Sequence, residues 1–562
     1  MKVSLSVLGV AALLAQTVMA VWPIPKEMSQ SNQNTVAPNA IVLGKGCGNN
    51  KILRSIVQRY SHLVSKESFL PPHLYNDKQT VQTSGALSHL TVNVKDTKTS
   101  SLGVDTDESY DLNIPANGEA TLNANTVYGA LRGLETYSQL ITSNGKNAKV
   151  IRNTPISIKD SPRFPHRGIL LDTARNFYPL DSIKRTIDAM SYNKLNVLHW
   201  HVVDAQSWPI ESKLHPELAD KGAYAPNMRY SYNEVKHLIE YAMERGVRII
   251  PEFDMPGHTY IIGLSHPEIM SCLNMQPDWD HFAAEPPSGQ FDITNPEAAK
   301  MAKDIINEYS KLFPDKYFNI GGDEVNINCW NESKKVQDYL AAHPGQNVTT
   351  VLQRFYDEIH KQVVADGKSA MCWEETLFHQ NYLPPKGTIV QTWIDAESVH
   401  KTVAAGYHAV ASPWTSNYLD CGHGAWLSNS NGTSWCDPYK NWVNVYQYDP
   451  LTNVTKPEEQ ALVLGGEVTL WSEQSDQYSL DTYLWPRSSA HAEIMWSGPT
   501  DPKTGKHREP LDAITRLHGQ RYRMLDRGIE SVPLQPLWCA RNPGNCSVPP
   551  PAKKAPAAEA GH

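Results

Sequence analysis

Long runs of basic residues are absent from this sequence, and their absence bears on the partners that the chain can bind. The 562 residues include 51 Lys and Arg against 59 Asp and Glu, which gives a formal net charge of −8. This charge is modest for the length, and the lysines and arginines are scattered along the chain. A protein that grips a phosphate backbone needs a basic patch or stripe. We therefore predict that nucleic acid is not a partner.

Long hydrophobic runs are also scarce, and the one at the N-terminus is short. Lys2 precedes an apolar run from Val3 to Leu14, and small residues follow up to Ala20. A membrane span needs about 20 apolar residues, so this run is too short to cross a bilayer but has the parts of a signal peptide. We expect residues 1–20 to be a signal peptide cleaved after Ala20. No later run is apolar enough for a span, so the sequence predicts a secreted protein, extracellular or delivered to a vacuole or lysosome.

Cysteine is sparse, with eight residues in the chain. A secreted protein meets an oxidising compartment, so we expect some of the eight to be bridged. The short interval between Cys539 and Cys546 favours a disulfide between these two. Five Asn-X-Ser/Thr sequons, in a chain with a signal peptide, indicate a glycoprotein. The sequons begin at Asn331, Asn347, Asn431, Asn453 and Asn545.

Phenylalanine is scarce as well, with 10 residues, whereas the chain has 15 Trp and 25 Tyr. Amphipathic rings of this kind can stack on the faces of sugars, although packing in cores and interfaces explains most of them. The aromatic composition is therefore compatible with a sugar-binding protein, and the motifs must decide.

The length of the chain is too great for one small core, so we expect one large and one smaller domain. Residues 21–149 mix alternating segments, such as 90–94, with a helical stretch from Val127 to Ile141. This mixture predicts a small, structural α+β domain at the N-terminus.

A different rhythm occupies residues 163–500, where short β-rich runs alternate with amphipathic helical stretches. The eight β-rich runs are Gly168–Asp172, Asn196–Asp204, Arg248–Asp254, Tyr317–Asp323, Ser369–Glu374, Thr388–Trp393, His408–Ser412 and Val463–Trp471. The helical stretches include Asp181–Asn193, Tyr232–Arg245, Pro296–Phe313 and Thr350–Asp366. Eight alternations of this kind predict an α/β fold of the (β/α)8, or TIM barrel, type.

Two further segments depart from the barrel pattern. The stretch 418–456 lacks helical periodicity, so we expect a long functional or bridged loop there. After the barrel we expect a helix from Leu511 to Arg527 and a disulfide segment, which together occupy 501–548. The Pro/Ala-rich end, 549–562, is predicted to be a disordered tail.

Polar and aromatic side chains stand at the C-terminal end of nearly every predicted strand. They are Asp172 with Arg175, Asp204, Asp254 with His258, Asp323 with Glu324, Trp373 with Glu374, Trp393, Trp414, and Trp471 with Glu473. The active sites of TIM barrels lie on this face. Any single member could be structural, but packing does not explain the same coincidence on most of eight strands. We therefore expect one active site there.

The sharpest motif is the run 317–326. An apolar strand leads through Gly321 and Gly322, which we expect to let the backbone approach a ligand closely. The adjacent acids Asp323 and Glu324 follow. Two neighbouring acids do not both ionise cheaply at low dielectric, so the pKa of one should be raised, and that acid could donate a proton. In isolation the motif could be a solvated turn, but its apolar approach and its position in the barrel favour a catalytic pair.

Several long stretches, in this order, resemble glycoside hydrolase family 20, the β-N-acetylhexosaminidase family, in its fungal and animal form. They are Pro162–Gly168 with Asp172–Arg175, Tyr192–Asn196 with His199–His201 and Asp204, Glu252–His258, and Gly321–Val325. The stretch 126–136 is similar to a helix of the family's smaller domain, so the resemblance covers nearly the whole mature chain. It implies a retaining exo-glycosidase that removes terminal β-linked N-acetylglucosamine or N-acetylgalactosamine from chitin oligomers or glycoconjugates.

The resemblance also implies substrate-assisted catalysis, in which the substrate's acetamido group replaces an enzyme nucleophile and gives an oxazolinium intermediate. Glu324 would be the general acid/base. Asp323 would hold and polarise the acetamido N–H, while Tyr418 would hydrogen-bond the carbonyl oxygen. Asp204 and His258 resemble a pair that runs to Glu324 and tunes its proton affinity.

The remaining implied roles concern the sugar and the partners. Arg175 and Glu473 match residues that grip hydroxyls of the terminal sugar, and Asp420 resembles a further hydroxyl contact. The indoles expected to enclose the acetamido methyl and the sugar ring are Trp373, Trp393 and Trp471. Histidines such as His199 and His201 show no ligand geometry that outweighs packing, so we predict no metal and no cofactor. The expected partner is a glycan or chitin-oligomer substrate, and relatives often form homodimers.

The family resemblance extends to the cysteines. It implies the bridges Cys272 with Cys329 and Cys421 with Cys436, and it leaves Cys47 and Cys372 free. The chain departs from some relatives in two places. Ala205 follows Asp204 where some relatives carry a second acid, and the approach from Trp414 to Tyr418 is longer than in animal relatives but like the fungal ones.

Two other classes of function stay open at this point. A catalytically inactive glycan-binding protein would keep the aromatic pocket but could lose Glu324, Asp323 or Tyr418, all of which are present. A retaining glycosidase with its own nucleophile would need a carboxylate about 5 Å from the acid. Glu374 and Glu473 are the strand-end candidates for that nucleophile.

Overall fold

A computed structural model of the chain describes residues 21–38, 40–74, 81–98, 101–144, 148–428 and 431–546. The predicted signal peptide, 1–20, and the predicted tail, 549–562, lie outside the described residues. The described part consists of a mixed sheet with its helices, followed by a closed barrel.

The N-terminal part is a mixed seven-stranded sheet with two long helices. Its strands are β1 (Glu27–Val36), β2 (Ile41–Leu43), β3 (Gly85–Val94), β4 (Tyr110–Ile114), β5 (Gly118–Ala124), β6 (Ile141–Ser143) and β7 (Lys149–Asp160). Its helices are α1 (Lys51–Lys66) and α2 (Val127–Leu140). The strand order is β1-β3-β5-β4-β7-β6, with β2 beside β3 and β1 also paired to β7. This is the α+β arrangement that the sequence predicts.

Strand β7 continues the small sheet past residue 149, where the sequence analysis ends the small domain. It pairs with β1, β4 and β6. Proline is disfavoured in the interior strands of a sheet because it has no N–H to donate, and β7 contains Pro155. The pairing with β1 shifts register between Gln30–Ile156 and Gln33–Thr154. Pro155 therefore falls at the irregularity, where its missing N–H costs no regular ladder bond.

Helix α2 is buried along its whole length because it lies between the small sheet and the barrel. Thr126 caps its first turn by accepting a hydrogen bond from the backbone N–H of Gly129 at 3.0 Å. Two glycines let the helix approach the sheet. A Cβ on Gly129 would lie 2.2 Å from the carbonyl oxygen of Ser109, and one on Gly133 would lie 2.3 Å from Leu122.

Paired charges are buried where the small domain meets the barrel. Glu108 contacts Arg132 of α2 at 2.7 Å and Arg167 of the barrel at 2.8 Å. Lys194 contacts Asp160 of β7 at 2.9 Å, with both side chains fully buried. Buried charges are tolerated when they are paired and hydrogen-bonded, so these contacts fix how the two parts fit together.

Eight parallel strands close the barrel, as the sequence predicts. The strands of this part are β8 (His166–Asp172), β9 (Val197–His201), β10 (Arg248–Glu252), β11 (Met270–Ser271), β12 (Gln290–Phe291), β13 (Tyr317–Asn319), β14 (Ser369–Trp373), β15 (Ile389–Thr392), β16 (His408–Ala411) and β17 (Val463–Leu470). The barrel order is β8-β9-β10-β13-β14-β15-β16-β17, while β11 and β12 form a separate two-stranded ribbon. Every barrel strand overlaps one of the eight predicted runs.

Helices surround the barrel and continue beyond it. They are α3 (Leu180–Tyr192), α4 (Pro216–Gly222), α5 (Tyr232–Met243), α6 (Pro296–Leu312), α7 (Ile327–Glu332), α8 (Lys334–Ala342), α9 (Val348–Ala365), α10 (Glu375–Phe378), α11 (Ser398–Ala404), α12 (Trp414–Asn417), α13 (Trp442–Gln447), α14 (Pro457–Gln460), α15 (Leu480–Leu484), α16 (Arg487–Ser497), α17 (Pro510–Asp526) and α18 (Leu537–Arg541). The predicted helices correspond to α3, α5, α6, α9 and α17. The stretch predicted as a long loop, 418–456, contains the short helix α13 and the disulfide between Cys421 and Cys436. Within the described ranges, no helix is both long and apolar enough to cross a membrane.

The barrel interior is layered because every second residue of a strand points inward. The apolar layer consists of Val197, Ile250, Tyr317, Met371, Ile389, Val410 and Leu464. Two residues further along, buried side chains that are mostly polar follow: His199, Glu252, Asn319, Trp373 and Gln391. Gly168 leaves room for Glu467 beside this second layer, since a Cβ there would lie 2.6 Å from the Cγ of Glu467. The next inward positions reach the C-terminal end of the barrel.

Candidate active site

A cavity of about 520 Å³ opens at the C-terminal ends of the barrel strands. This is the size of a small-molecule site. Ten side chains to which the sequence analysis gave a catalytic or sugar-binding role line it: Arg175, His258, Asp323, Glu324, Trp373, Trp393, Tyr418, Asp420, Trp471 and Glu473. The eleventh, Asp204, is fully buried behind the wall, in contact with Arg175 and His258.

The turn after β13 carries Asp323 and Glu324 into the cavity. Gly321 and Gly322 have φ values of 65° and 96°, in the left-handed region that glycine adopts easily. Their missing side chains make room for protein atoms rather than for a ligand, which corrects the expectation from the sequence. A Cβ on Gly321 would lie 1.9 Å from Asp254 Oδ1, and one on Gly322 would lie 2.5 Å from Thr376.

Two non-glycine residues at the cavity also have left-handed backbones, with φ of 51° at Glu324 and 55° at His258. Such conformations cost of order 1–3 kcal/mol and persist where the surrounding structure enforces them. Here the strained backbone of each residue brings its side chain to the other. His258 Nε2 lies 3.4 Å from Glu324 Oε2 and 3.7 Å from Asp323 Oδ2.

The imidazole of His258 links Glu324 to a buried carboxylate. Its Nδ1 lies 3.1 Å from Asp204 Oδ1. Burial opposes a charge on His258, but the buried carboxylate of Asp204 outweighs it and holds the pKa of the imidazole well above its ordinary value. The ring is therefore a cation that donates to Asp204 and faces Glu324. This arrangement can hold Glu324 in place and stabilise its anionic form.

Asp323 shares its surroundings with a second acid, Asp254, to which the sequence analysis gave no role. Burial and the charge of Asp323 raise the pKa of Asp254 well above its ordinary value, and a hydrogen bond joins the two carboxyl groups. Burial also raises the pKa of Asp323, while His258 and the bond from Asp254 oppose that rise. Two carboxyl groups in contact share one proton, and Asp254 carries it. Asp323 is then free to act as the anion.

Arg175 is held at one side of the cavity by carboxylates. Its Nε and Nη2 contact Glu285 Oε1 at 2.8 and 2.6 Å, and Nη2 lies 3.1 Å from Asp204 Oδ2. Its guanidinium also lies over the ring of Trp471, with 5.1 Å to the centroid. These contacts hold the guanidinium fixed against the ring of Trp471, which also lines the cavity.

Aromatic rings form a continuous part of the cavity wall, which begins at Trp471 beside Arg175. Trp393 and Tyr418 are stacked, with centroids 6.0 Å apart, and Trp471 lies 6.1 Å from Trp373 and 6.2 Å from Tyr418. Two of these indoles donate their N–H to a buried acid. Trp373 donates to Glu252 at 2.8 Å, and Trp393 donates to Glu375 at 3.0 Å. The rings are therefore oriented by hydrogen bonds and present apolar faces.

Two acids of the cavity have strongly raised pKa values. Burial raises the pKa of Asp420 to about 7. Burial raises that of Glu473 well above its ordinary value, with Glu285 and Asp420 adding to the rise against the opposing effect of Arg175. Protonated or shared carboxyl groups of this kind can donate to sugar hydroxyls as well as accept from them.

Sequence reasoning missed three residues near the cavity, and it placed a fourth on the active-site face without giving it a role of its own. Glu285 and Trp435 line it from loops, and Trp435 is 64% exposed at its mouth. Glu375 accepts the indole N–H of Trp393 at 3.0 Å. The fourth is Asp254, described above. Glu375 could have been found from the sequence, because it directly follows the strand-end residue Glu374. Glu285 and Trp435 lie in loops, which have no periodic pattern that could identify them.

Glu374, one of the two candidates for an enzyme nucleophile, does not line the cavity. Its Oε1 accepts hydrogen bonds from the backbone N–H groups of Trp393 and Ile394 at 2.6 and 2.7 Å. Glu374 therefore fixes the turn after β15. Glu473, the other candidate, does line the cavity.

Six of the eight cysteines form disulfides, and the bridge between Cys421 and Cys436 packs against Tyr418. The structure joins Cys272 to Cys329, Cys421 to Cys436 and Cys539 to Cys546, and it leaves Cys47 and Cys372 buried and free. Four sequon asparagines are exposed: Asn331, Asn347, Asn431 and Asn545. Asn453 is half-buried, and its amide donates to Glu397 at 2.6 Å.

Four groups in the described ranges bring three potential metal ligands within 4.8 Å of one another. Two are parts of the active site, and a third includes the bridged Cys421 and Cys436. The fourth is His215, Glu217 and His266, where the two imidazoles contact the carboxylate at 3.3 and 2.9 Å. Ion pairing between the two imidazoles and the carboxylate accounts for that cluster.

Comparisons with known proteins agree with this site. Residues 164–499 match the family described as "Glycosyl hydrolase family 20, catalytic domain", and residues 21–140 match "beta-acetyl hexosaminidase like". A probable beta-hexosaminidase of Arthroderma benhamiae is 35% identical over 503 residues, which cover 84% of this chain and 81% of that protein.

Two further similarities come from an insect and a bacterium. A chitooligosaccharidolytic beta-N-acetylglucosaminidase of Bombyx mori is 37% identical over 461 residues, covering 79% of this chain and 75% of that protein. The solved structure of a chitobiase from Flavobacterium johnsoniae superposes with a TM-score of 0.74 at 28% identity. That superposition covers 91% of this chain and 73% of the bacterial one.

Proposed function

Because the chain belongs to glycosyl hydrolase family 20, we propose that its cavity carries out the family's reaction with the residues described above. The protein is a β-N-acetylhexosaminidase, which hydrolyses terminal β-linked N-acetylglucosamine or N-acetylgalactosamine. One observation carries the assignment of roles. Asp323 and Glu324, on the turn after β13, face the same cavity as Tyr418, which follows α12. Arg175 and the aromatic rings line the same cavity.

In the first step, the acetamido oxygen of the substrate attacks the anomeric carbon while the glycosidic bond breaks. Glu324 gives its proton to the leaving oxygen. Positive charge develops on the acetamido nitrogen, and the anion of Asp323 stabilises that N–H, while the hydroxyl of Tyr418 donates to the oxygen. The product is an oxazolinium ring and a free leaving alcohol.

In the second step, Glu324 takes a proton from water as the water attacks the anomeric carbon. The ring opens, the acetamido group is restored, and the sugar leaves with its original β configuration. His258 stays protonated beside Glu324 in both steps and so favours the anion that forms in the first one.

We propose that the acetamido group, and not an enzyme carboxylate, is the nucleophile. Glu374 is withdrawn into the turn after β15, and the raised pKa of Glu473 favours its neutral form, which attacks poorly. A catalytically inactive glycan-binding protein would not need His258 in contact with both Glu324 and Asp323.

Chitin oligosaccharides are the substrate class that we propose. Trp435 stands at the cavity mouth, in edge contact with Trp393 and Tyr418 at 5.9 and 6.2 Å, and most of its ring is exposed. A second sugar that leaves the cavity would pass this ring and could stack on it. The insect relative, whose name describes hydrolysis of chitin oligosaccharides, supports this choice.

We also propose that the protein is secreted. The three disulfides and the exposed sequon asparagines support passage through an oxidising, glycosylating compartment. Cleavage after Ala20 and a homodimer stay predictions.

The experiment that tests the assignment compares two isosteric changes on a chromogenic N-acetylglucosaminide and on chitotriose. Glu324→Gln should lose about 10²- to 10⁴-fold in kcat on chitotriose, because general acid/base help is removed. Glu374→Gln is the matched control. Its amide oxygen keeps both backbone hydrogen bonds, so activity should stay near that of the wild type. Full activity of Glu324→Gln would remove this residue from the mechanism.

A fluorinated acetyl series tests the nucleophile itself. Each fluorine weakens the carbonyl oxygen, so the wild-type rate should fall steeply along N-acetyl, N-fluoroacetyl and N-trifluoroacetyl substrates. A flat series, or a glycosyl adduct trapped on Glu473, would show that an enzyme carboxylate attacks instead.

A further inference from the structure

A chain of alternating carboxylate and imidazole side chains runs through the barrel interior toward the active site. Its members, called the charged ladder here, are Glu467, His199, Glu252, His201 and Asp204. Glu467 lies 2.9 Å from His199, and His199 lies 2.7 Å from Glu252. Glu252 lies 3.1 Å from His201, which in turn lies 2.7 Å from Asp204. Every member is buried, with at most 1% of its surface exposed.

The strand period explains why these residues meet. His199 and His201 are two positions apart on β9, so both point inward, and Glu252 ends the neighbouring strand β10. The register pairs Glu252 with His201 directly. Glu467 enters from β17, on the other side of β8. The ladder thus crosses strands that lie far apart in the chain.

Charge balance indicates that both imidazoles of the ladder are cations. Glu252 is fully buried, and the cations it contacts are His199 and His201, so neutral rings would leave its charge uncompensated. Burial opposes charge on His199, but Glu467 and Glu252 outweigh it and raise the pKa to about 9. The same balance, with Glu252 and Asp204, holds the pKa of His201 well above its ordinary value.

Glu252 connects this ladder to two parts of the active site. Its Oε1 accepts the indole N–H of the cavity wall residue Trp373 at 2.8 Å. Its Oε2 contacts His201, which holds Asp204. Asp204 in turn contacts Arg175 at 3.1 Å and His258 at 3.1 Å. One buried carboxylate therefore supports the wall, the arginine clamp and the imidazole beside Glu324.

We propose that Glu252 is a positioning residue for the reaction, which acts through the charged ladder on the protonation of His258 and Glu324 and through Trp373 on the cavity wall. This inference rests on the proposed function, because it assumes that Glu324 is the acid. The proposal means that the proton affinity of Glu324 depends on Glu252, in the second layer of the barrel interior, as well as on the residues that line the cavity.

Other charged groups also face the acid and must be held constant in a test. His258 faces Asp254, Asp323 and Glu285 as well as Asp204 and Glu324. Asp323 and Glu324 are in turn close enough to Glu375 to raise its pKa. The variants of the charged ladder leave these residues in place, so a difference in pH dependence between the variants can be attributed to the ladder.

The test is the pH dependence of kcat/KM on a chromogenic N-acetylglucosaminide. Glu252→Gln keeps an oxygen for the N–H of Trp373 but removes a negative charge, which lowers the pKa of nearby acids. The basic limb should therefore move to lower pH by about one unit, the effect of one unit charge roughly 10 Å away at an effective dielectric of about 20. Glu467→Gln removes the same charge two contacts further along the ladder and should move the limb by less than half as much.

Trp373→Phe is the control for the wall contact, because it removes the indole N–H with its five-membered ring and leaves the ladder charges in place. It should raise KM without moving the limb. A Glu252→Gln enzyme that loses kcat while its limb stays within about 0.2 pH units of the wild type would overturn the proposal, since a purely structural role acts equally at every pH.

A second measurement keeps the proposal testable if Glu252→Gln does not fold. Neutron crystallography of the wild-type protein near pH 6 should show deuterium on both ring nitrogens of His199 and His201. A neutral ring at either position would overturn the charged ladder. Failure of the wild-type protein to turn over the chromogenic substrate would instead count against the proposed function, because the neutron measurement does not depend on turnover.

Discussion

Substitution by asparagine should have very different effects on the rate at Asp254 and at Asp323, although the two acids are paired. Asp254 Oδ1 accepts the backbone N–H of Gly322 at 2.8 Å. Within the described part of the chain, Asp254 Oδ2 and Asp323 Oδ1 have no donor from elsewhere, so a proton held between the two carboxyl groups satisfies both. Since the pKa of Asp254 is raised well above its ordinary value, that proton belongs to Asp254.

Asparagine at position 254 reproduces this arrangement. Its amide oxygen can accept from Gly322, and its N–H can donate to Asp323 where the acid proton was. The change exchanges one neutral donor for another, so we expect a cost below about 1 kcal/mol, or fivefold in rate. Asp323→Asn instead removes the anion that faces the developing positive charge, at a cost of about 2 to 4 kcal/mol, or roughly 30- to 1000-fold.

The assay is kcat/KM on a chromogenic N-acetylglucosaminide at mildly acidic pH, with circular dichroism and thermal melting of both variants as controls for folding. Asp254→Ala removes both the donor and the acceptor, and it should fall between the two asparagine variants. The reasoning is refuted if Asp254→Asn is as damaging as Asp323→Asn, because Asp254 would then act as an anion.

Three further predictions concern stability and the cavity mouth. Glu108→Gln should lower the free energy of unfolding by about 3 kcal/mol, because it leaves the buried guanidinium groups of Arg132 and Arg167 without their carboxylate; calorimetry should detect this, and a change under about 1 kcal/mol would contradict it. The pKa of His199 is raised from 6.5 to about 9, so its stabilising contribution is complete below pH 6.5 and is lost as the pH rises through 9. The melting temperature of the wild type should therefore fall over that interval, and a flat profile would count against the charged imidazole. Replacing Cys421 and Cys436 by serine opens a link with a sequence separation of 15 residues, which should cost about 3 kcal/mol. Because Trp435 lies in that loop, KM should rise more for chitotriose than for a monosaccharide substrate, and equal changes would show that the loop does not contact the second sugar.

The barrel and most of its cavity could be predicted from sequence because both depend on local patterns. Strand runs such as 248–254 end in polar residues, and the parallel arrangement then brings those ends to one face. Asp323, Glu324 and His258 were accessible in this way. Tyr418 and Asp420 were accessible through the family resemblance, since they stand at the start of a stretch, 418–456, that lacks helical periodicity.

The ladder could not be predicted because its partners are joined only by the closed barrel. His199 and Glu467 are separated by 268 positions, and nothing in the sequence near either residue refers to the other. The sequence analysis accordingly attributed His199 and His201 to packing. Glu285 and Trp435 were missed for a related reason, because each lies in a loop whose course depends on contacts with distant elements.

The buried charges between the small domain and the barrel determine whether the barrel can be produced without the small domain. A barrel produced without residues 21–160 would lose Glu108 and Asp160, and it would expose Arg167 and Lys194, which are now fully buried in the interface. It would also lose helix α2, which has no solvent-facing side of its own. Recombination of catalytic domains between relatives, or transfer of this cavity to a carrier protein, must therefore move both parts together with their common interface.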